Sequence, residues 1–174
     1  MGVGRLLTLL AAGLLSIETA VPAFAAPVGA ATPATGRAQL LYPVQVRRLQ
    51  DLNFGLLGVT TAGTAVINPD TDALTTTGGV VSLGGFPYAA LFEAVSPRKG
   101  VVIVRIPRNP ITLTRAGGTE TMTVANWTIS GGGNSRNVAA QEAFSFAIGG
   151  TLFVNANQVE GTYNGTFDVE VQYP

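Results

Sequence analysis

Several short constellations in this chain carry residue types that could do chemistry. Ser96-Pro97-Arg98-Lys99 fits the S-x-x-K spacing of serine acyl-enzymes, where the motif opens a helix. Here it contains a proline and leads into a β-branched run, so a surface turn accounts for it. Asn68, Asp70 and Asp72 place oxygen ligands at alternate positions, as calcium loops do. The bidentate glutamate such a loop needs is missing, because position 79 is Gly79. Asp168 and Glu170 lie two residues apart. Acid–base work would require them to sit in a cleft with shifted pKa values, and a solvated strand face explains the spacing as well. Asn126-Trp127-Thr128 and Asn164-Gly165-Thr166 have sequon spacing, a three-residue pattern that carries little weight by itself. Trp127 is the single tryptophan and is expected in the core or at its rim rather than as a sugar platform.

The composition narrows the chemistry further. The 174 residues include no His and no Cys. A histidine general base, a thiolate nucleophile, a haem axial histidine and the usual zinc sites are thereby excluded. No enzyme activity, no cofactor and no metal site are expected. Ten basic residues balance ten acidic ones, so no net field favours nucleic acid or an anionic membrane. Charged residues make up 11% of the chain, against roughly 25% in an ordinary soluble domain. With 22 Gly and 10 Pro, this composition favours short strands and turns over helices.

The elements that would position any site begin after a targeting segment. Met1–Ala25 has the form of a secretory signal: Arg5 in the n-region, an apolar run Leu6–Leu15, and the small-x-small site Ala23-Phe24-Ala25. The run is too short for the ~20 residues of a membrane span, and Glu18 and Pro22 interrupt its far end. No later segment is apolar enough to cross a bilayer. Residues 26–39 are rich in Ala, Pro, Thr and Gly and are expected to be an unstructured leader or an extended arm. A single domain is expected from Leu40 to Pro174.

Within that domain the period is two. Leu40, Tyr42, Val44 and Val46 alternate, with Pro43 marking an edge position. Short strands are expected at Ala65–Asn68, Val80–Leu83, Tyr88–Val95 and Ile111–Thr114. Val101–Ile106 is an almost continuous β-branched run, the mark of a central strand. Glu120–Ile129 changes phase near Ala125-Asn126, which indicates a β-bulge. Ala143–Ile148 alternates and then meets Gly149-Gly150, where a sharp bend is possible. From Thr162 to Tyr173 the alternation is unbroken: Tyr163, Gly165, Phe167, Val169, Val171 and Tyr173 share one face. About nine short strands argue for an all-β, antiparallel, Ig-like β-sandwich.

Three segments carry a resemblance. Leu52-Asn53-Phe54-Gly55, Gly149-Gly150-Thr151-Leu152 and Gln158-Val159-Glu160-Gly161-Thr162-Tyr163-Asn164-Gly165-Thr166-Phe167 resemble the pattern of the DUF4402 family, exported bacterial proteins without a characterised function. The C-terminal strand is also similar to that of chaperone–usher pilins, which carry a glycine fourteen residues from the C-terminus and a penultimate tyrosine. Gly161 and Tyr173 stand at those positions. Many such pilins contain a disulfide, and this chain has no cysteine.

The resemblance implies a sandwich one strand short, with one open edge. A periplasmic chaperone would fill the groove first and the N-terminal arm of a sister subunit afterwards, on passage through an outer-membrane usher. The chain would then be a structural subunit of a fimbria on the bacterial surface. Gly161, Tyr163, Phe167, Val169, Val171 and Tyr173 would form the groove that chaperone and donor recognise. Val28, Ala30, Ala34, Ala38 and Leu40 are the candidate donor arm, although Leu40–Val46 could equally be the domain's own first strand. The alternative is a self-complete, monomeric sandwich that binds a ligand in the periplasm or at the cell surface.

Overall fold

The computed structural model describes residues 35–40 and 42–174. The expected signal Met1–Ala25 and the candidate donor positions Val28, Ala30 and Ala34 lie outside the described residues. Strands β1 (Gln45–Gln50), β2 (Leu56–Ile67), β3 (Leu74–Gly84), β4 (Ala90–Val95), β5 (Gly100–Arg105) and β6 (Ile111–Arg115) make up the first half. They are followed by β7 (Thr121–Ile129), β8 (Ser135–Val138), β9 (Ala143–Val154), β10 (Tyr163–Asn164) and β11 (Glu170–Gln172). A single 3₁₀ turn, Ser130–Gly132, joins β7 to β8. Among the described residues no helix is long and apolar enough to cross a membrane.

All strand pairs are antiparallel. They form a large sheet of eight strands, β1-β4-β9-β7-β6-β10 with β2 and β3 attached, and a small sheet ordered β11-β5-β8. The hub of the large sheet is β9. One of its edges pairs first with β4 and then with β2, and the other pairs with β7. Its even-numbered side chains explain the length. Phe144, Phe146 and Ile148 serve one apolar cluster and Leu152 and Val154 a second. The Gly149-Gly150 pair therefore lies within a continuous strand instead of making the expected sharp turn.

The first cluster joins the two sheets. Ala90, Phe92 and Ala94 of β4, Phe146 and Ile148 of β9 and Ile129 of β7 meet Val102 and Val104 of β5, Val138 of β8 and Val171 of β11. The molecule is thus an antiparallel β-sandwich. Phe92 and Phe146, paired across β4 and β9, stack with ring centroids 5.5 Å apart. The second cluster holds Phe54, Ala65, Ile67, Val80, Ala89, Val124, Leu152 and Val154, none of them from the small sheet. Burying these residues requires the large sheet to curl over itself. Trp127 and Leu52 pack against both clusters.

The expected bulge is present. The β7–β9 register shifts between Ala125 and Thr128, and Asn126 takes a φ of +50°. Other expectations change. The first strand begins at Gln45 rather than Leu40, and residues 35–40 and 42–44 form no strand. β2 and β3 are far longer than Ala65–Asn68 and Val80–Leu83, because Thr- and Gly-rich segments are recruited into the hairpin by cross-strand pairing. β8 is a short strand where the sequence pattern led to no strand being expected. β5 is central in its sheet but buries only one face, leaving Val101 exposed. The C-terminal stretch, expected as one long strand, divides between two sheets.

Phe146 fills the middle of the inter-sheet cluster and is almost wholly buried. Phe146→Ala should cost about 3–5 kcal/mol through lost burial and the residual cavity. Urea denaturation followed by tryptophan fluorescence measures it.

Candidate functional site

The residues expected to form a groove lie along the segment that passes from the large sheet to the small one. Gly161 and Tyr163 belong to its start, beside the β6–β7 turn. Tyr163 and Asn164 pair with Arg115 and Thr114 of β6. Gly161 has a φ of +151°, and a Cβ there would lie 2.8 Å from Cδ of Arg115. A side chain at this position would collide with the arginine stem. That arginine is itself fixed: its Nε donates to Glu120 Oε2 at 2.7 Å and its Nη2 to Oε1 at 3.1 Å. The pairing holds the Glu120 carboxyl at about 2, against an ordinary 4.5, mainly through the Arg115 hydrogen bonds. The Tyr163 hydroxyl donates to the Val159 carbonyl at 2.6 Å and accepts from Gln158 Nε2 at 2.7 Å. This end of the segment is locally self-satisfied.

The middle of the segment crosses the sandwich. Gly165 passes so close to β6 that a Cβ would lie 2.7 Å from the Thr112 carbonyl oxygen. Phe167 then reaches into the first cluster, 4.7 Å from the Trp127 ring and edge-on to Phe92 at 6.3 Å. Val169 packs against the same cluster. The alternation seen in the sequence is genuine, but between Gly165 and Val169 it seats side chains on the core without a strand ladder.

The end of the segment is held by β5. Glu170, Val171 and Gln172 pair with Arg105, Val104 and Ile103, and Val171 is buried. Tyr173 makes a contact that the sequence concealed. Ser96 of the Ser-Pro-Arg-Lys turn is fully buried, and its hydroxyl donates to the Arg98 carbonyl at 2.7 Å. With that proton committed, the Tyr173 hydroxyl is the donor in its 3.1 Å bond to Ser96 Oγ. The Arg98 guanidinium lies over the Tyr173 ring, 4.0 Å from the centroid. The S-x-x-K turn thus serves as a docking point for the C-terminal strand. Its two halves lie 77 residues apart, so no local pattern announces the contact.

The six expected groove residues therefore do not line one trough. Gly161 and Tyr163 sit by β6, whereas Phe167, Val169, Val171 and Tyr173 border the inter-sheet cluster. Among the described residues, β11 pairs only with β5, on one edge, and β1 pairs only with β4. These two free edges, one from each sheet, approach within 8 Å between Cα atoms without forming a ladder. Val44, Phe144 and Tyr173 are half-buried against the core cluster nearby. Of the candidate donor residues within the description, Ala38 and Leu40 lie outside any strand, and Leu40 is 90% exposed. Tyr42 is 76% exposed. Val44, by contrast, packs on the domain's own core.

A family model described as a domain of unknown function, DUF4402, matches residues 44–173. The chain belongs to the DUF4402 family. No curated protein and no solved structure matches this DUF4402 chain. Two of the family-pattern segments have local work in the fold: the Gly161–Phe167 stretch makes the sheet crossing, and Gly149-Gly150 lies at the centre of β9.

Glu120 has a folded-state pKa below its unfolded value, so it binds fewer protons when folded. Its contribution to stability is complete above about pH 4.5 and fades as the pH falls toward about 2. Glu120→Gln should remove that component of acid sensitivity while leaving the neutral-pH fold intact. Thermal melting from pH 2 to pH 7 for both proteins checks it.

Proposed function

We propose that this DUF4402 chain is a structural subunit of a bacterial surface fimbria, assembled by donor-strand addition between sister copies. One observation carries the reading: two sheets that share a core end side by side in free edges, β1 and β11. An extended segment laid between them would satisfy both rows of backbone groups and cover the half-buried apolar rim. A seated strand needs two ladder spacings, about 9.6 Å. The edges lie closer than that at their nearest approach, so the sandwich opens slightly on insertion.

The donor in this reading comes from the segment preceding β1 of the next copy. Leu40 and Tyr42 alternate, are exposed and belong to no strand. Each large apolar side chain inserted would contribute ~1.5–3 kcal/mol, whereas Ala30, Ala34 and Ala38 would add little. Val44 marks the boundary at which the domain's own packing begins. The signal at Met1–Ala25 would deliver the chain to the periplasm. There a chaperone would hold the free edges apart until an outer-membrane usher exchanged it for a sister arm.

The test compares the exported chain with a Leu40→Asp/Tyr42→Asp double variant. Native subunits should give ladders of oligomers that resist detergent below boiling temperature, and cells should carry filaments visible by electron microscopy. The double variant should lose both while the subunit still folds. Ladders and filaments that persist in the variant, or filaments unchanged by deletion of the gene, would overturn the proposal.

A further inference from the structure

The Leu52-Asn53-Phe54-Gly55 segment supports a surface that the fimbrial reading leaves unused. The hairpin of β2 and β3 falls into two halves, separated by a register shift between Val59 and Gly63. The inner half, from Gly63 onward, is also paired to β9. Among the described residues the outer half, Leu56–Val59 with Val80–Gly84, pairs with nothing else, so there it is a two-stranded ribbon with both edges free. A ribbon of that kind is marginal in water unless a face is covered.

One face is covered. Leu57, Val59 and Val80 pack on the second core cluster. The opposite face is apolar as well. A Cβ at Gly58 would lie 3.1 Å from Val81 Cγ2 and 3.4 Å from Leu83 Cδ1, which places both side chains over the strand on that side. Leu56, two residues before Gly58, shares the face. The turn that follows carries Phe86, a bulky residue at a φ of +52°. Asn53 holds that turn: its amide donates to the Phe86 carbonyl at 3.1 Å, and its backbone bridges Tyr88. Leu56, Val81, Leu83 and Phe86 are between 50% and 88% exposed.

Apolar residues on both faces are the pattern of a sheet that is buried twice. The charge distribution indicates by what. Neither β2 nor β3 contains a charged residue, and nor does the two-residue edge strand β10, whereas the edge strands β1, β8 and β11 carry Arg47 and Arg48, Arg136 and Glu170 respectively. Charged side chains are the usual guard against unwanted pairing, and this face lacks them. An identical copy meets no like-charge repulsion from either strand, and neither strand supplies a basic residue to favour anionic lipid. The four residues expose on the order of 500 Å² per copy, so a contact that covered them completely in both copies would bury at most about 1,000 Å², the low end for a specific interface.

We propose that the outer face of the β2–β3 ribbon is a self-association surface, on which two copies of this chain pack through Leu56, Val81, Leu83 and Phe86. The contact is independent of strand exchange at β1 and β11 and uses a different part of the sandwich. Its modest area makes it a weak, concentration-dependent contact.

Sedimentation velocity from micromolar to millimolar concentration tests it, on the Leu40→Asp/Tyr42→Asp background so that arm exchange does not contribute. The parent should shift from monomer to dimer as concentration rises. Leu83→Glu should remain monomeric throughout. Phe86→Asn, which suits a positive φ better than phenylalanine, should keep or raise the melting temperature and still weaken the dimer at least tenfold. A parent that is monomeric at every concentration overturns the proposal, as does a dimer unaffected by both variants. Flotation of the parent, but not of Leu83→Glu, with neutral phosphatidylcholine vesicles would assign the face to lipid and overturn it equally.

Discussion

The packing of Phe92, Phe146 and Ile148 against Val102, Val104 and Val171 is the interaction on which the rest of the molecule depends. The chain has no cysteine, so no covalent staple holds the two sheets together. Apolar burial across the sheet interface is the main force that does so. Each sheet contributes its own alternate residues to that layer, and the alternation along β4, β5 and β9 decides which faces meet. Ser96, Tyr173 and Arg98 extend the same closure to the C-terminal strand, because the buried serine and the tyrosine it meets stand 77 residues apart in the chain.

The two sheets are unequal, and most of the surface character follows from that. Three strands cannot cover eight. The large sheet responds by curling, which gives a second core built entirely from its own residues and two adjoining loops. The mismatch also leaves edges. β1 and β11 approach one another, and among the described residues neither has a partner on its second edge. Where the β2–β3 hairpin runs past β9, a ribbon extends with apolar side chains on both faces. The first feature invites an extended strand and the second a flat apolar partner, and both suit a molecule built into a larger assembly.

Parts of this arrangement were legible in the residues. The period of two, the β-bulge at Ala125-Asn126 and the burial of Phe146 and Ile148 follow from local rules that tertiary context did not override. The long hairpin did not announce itself, because Thr75–Thr77 and Gly78-Gly79 carry no apolar period and became strand only through pairing with β2. The alternation from Tyr163 to Tyr173 misled in a specific way. It is real as a pattern of side-chain burial. However, Gly165 brings the backbone against β6 and Phe167 inserts between Trp127 and Phe92, so the ladder breaks where the burial continues. Ser96 looked like turn chemistry and nothing more, and its partner 77 residues away made it part of the core.

By itself the sequence determined the all-β class, the absence of histidine and thiol chemistry and the alternation that sorts residues into inner and outer faces. These depend on residue type and on neighbours one or two positions away. Tertiary structure alone decided which strands share an edge, where the C-terminal segment changes sheet and which edges and faces are left unpaired. Those features depend on what stands opposite each residue across a ladder or a core, and such partners lie dozens of residues apart.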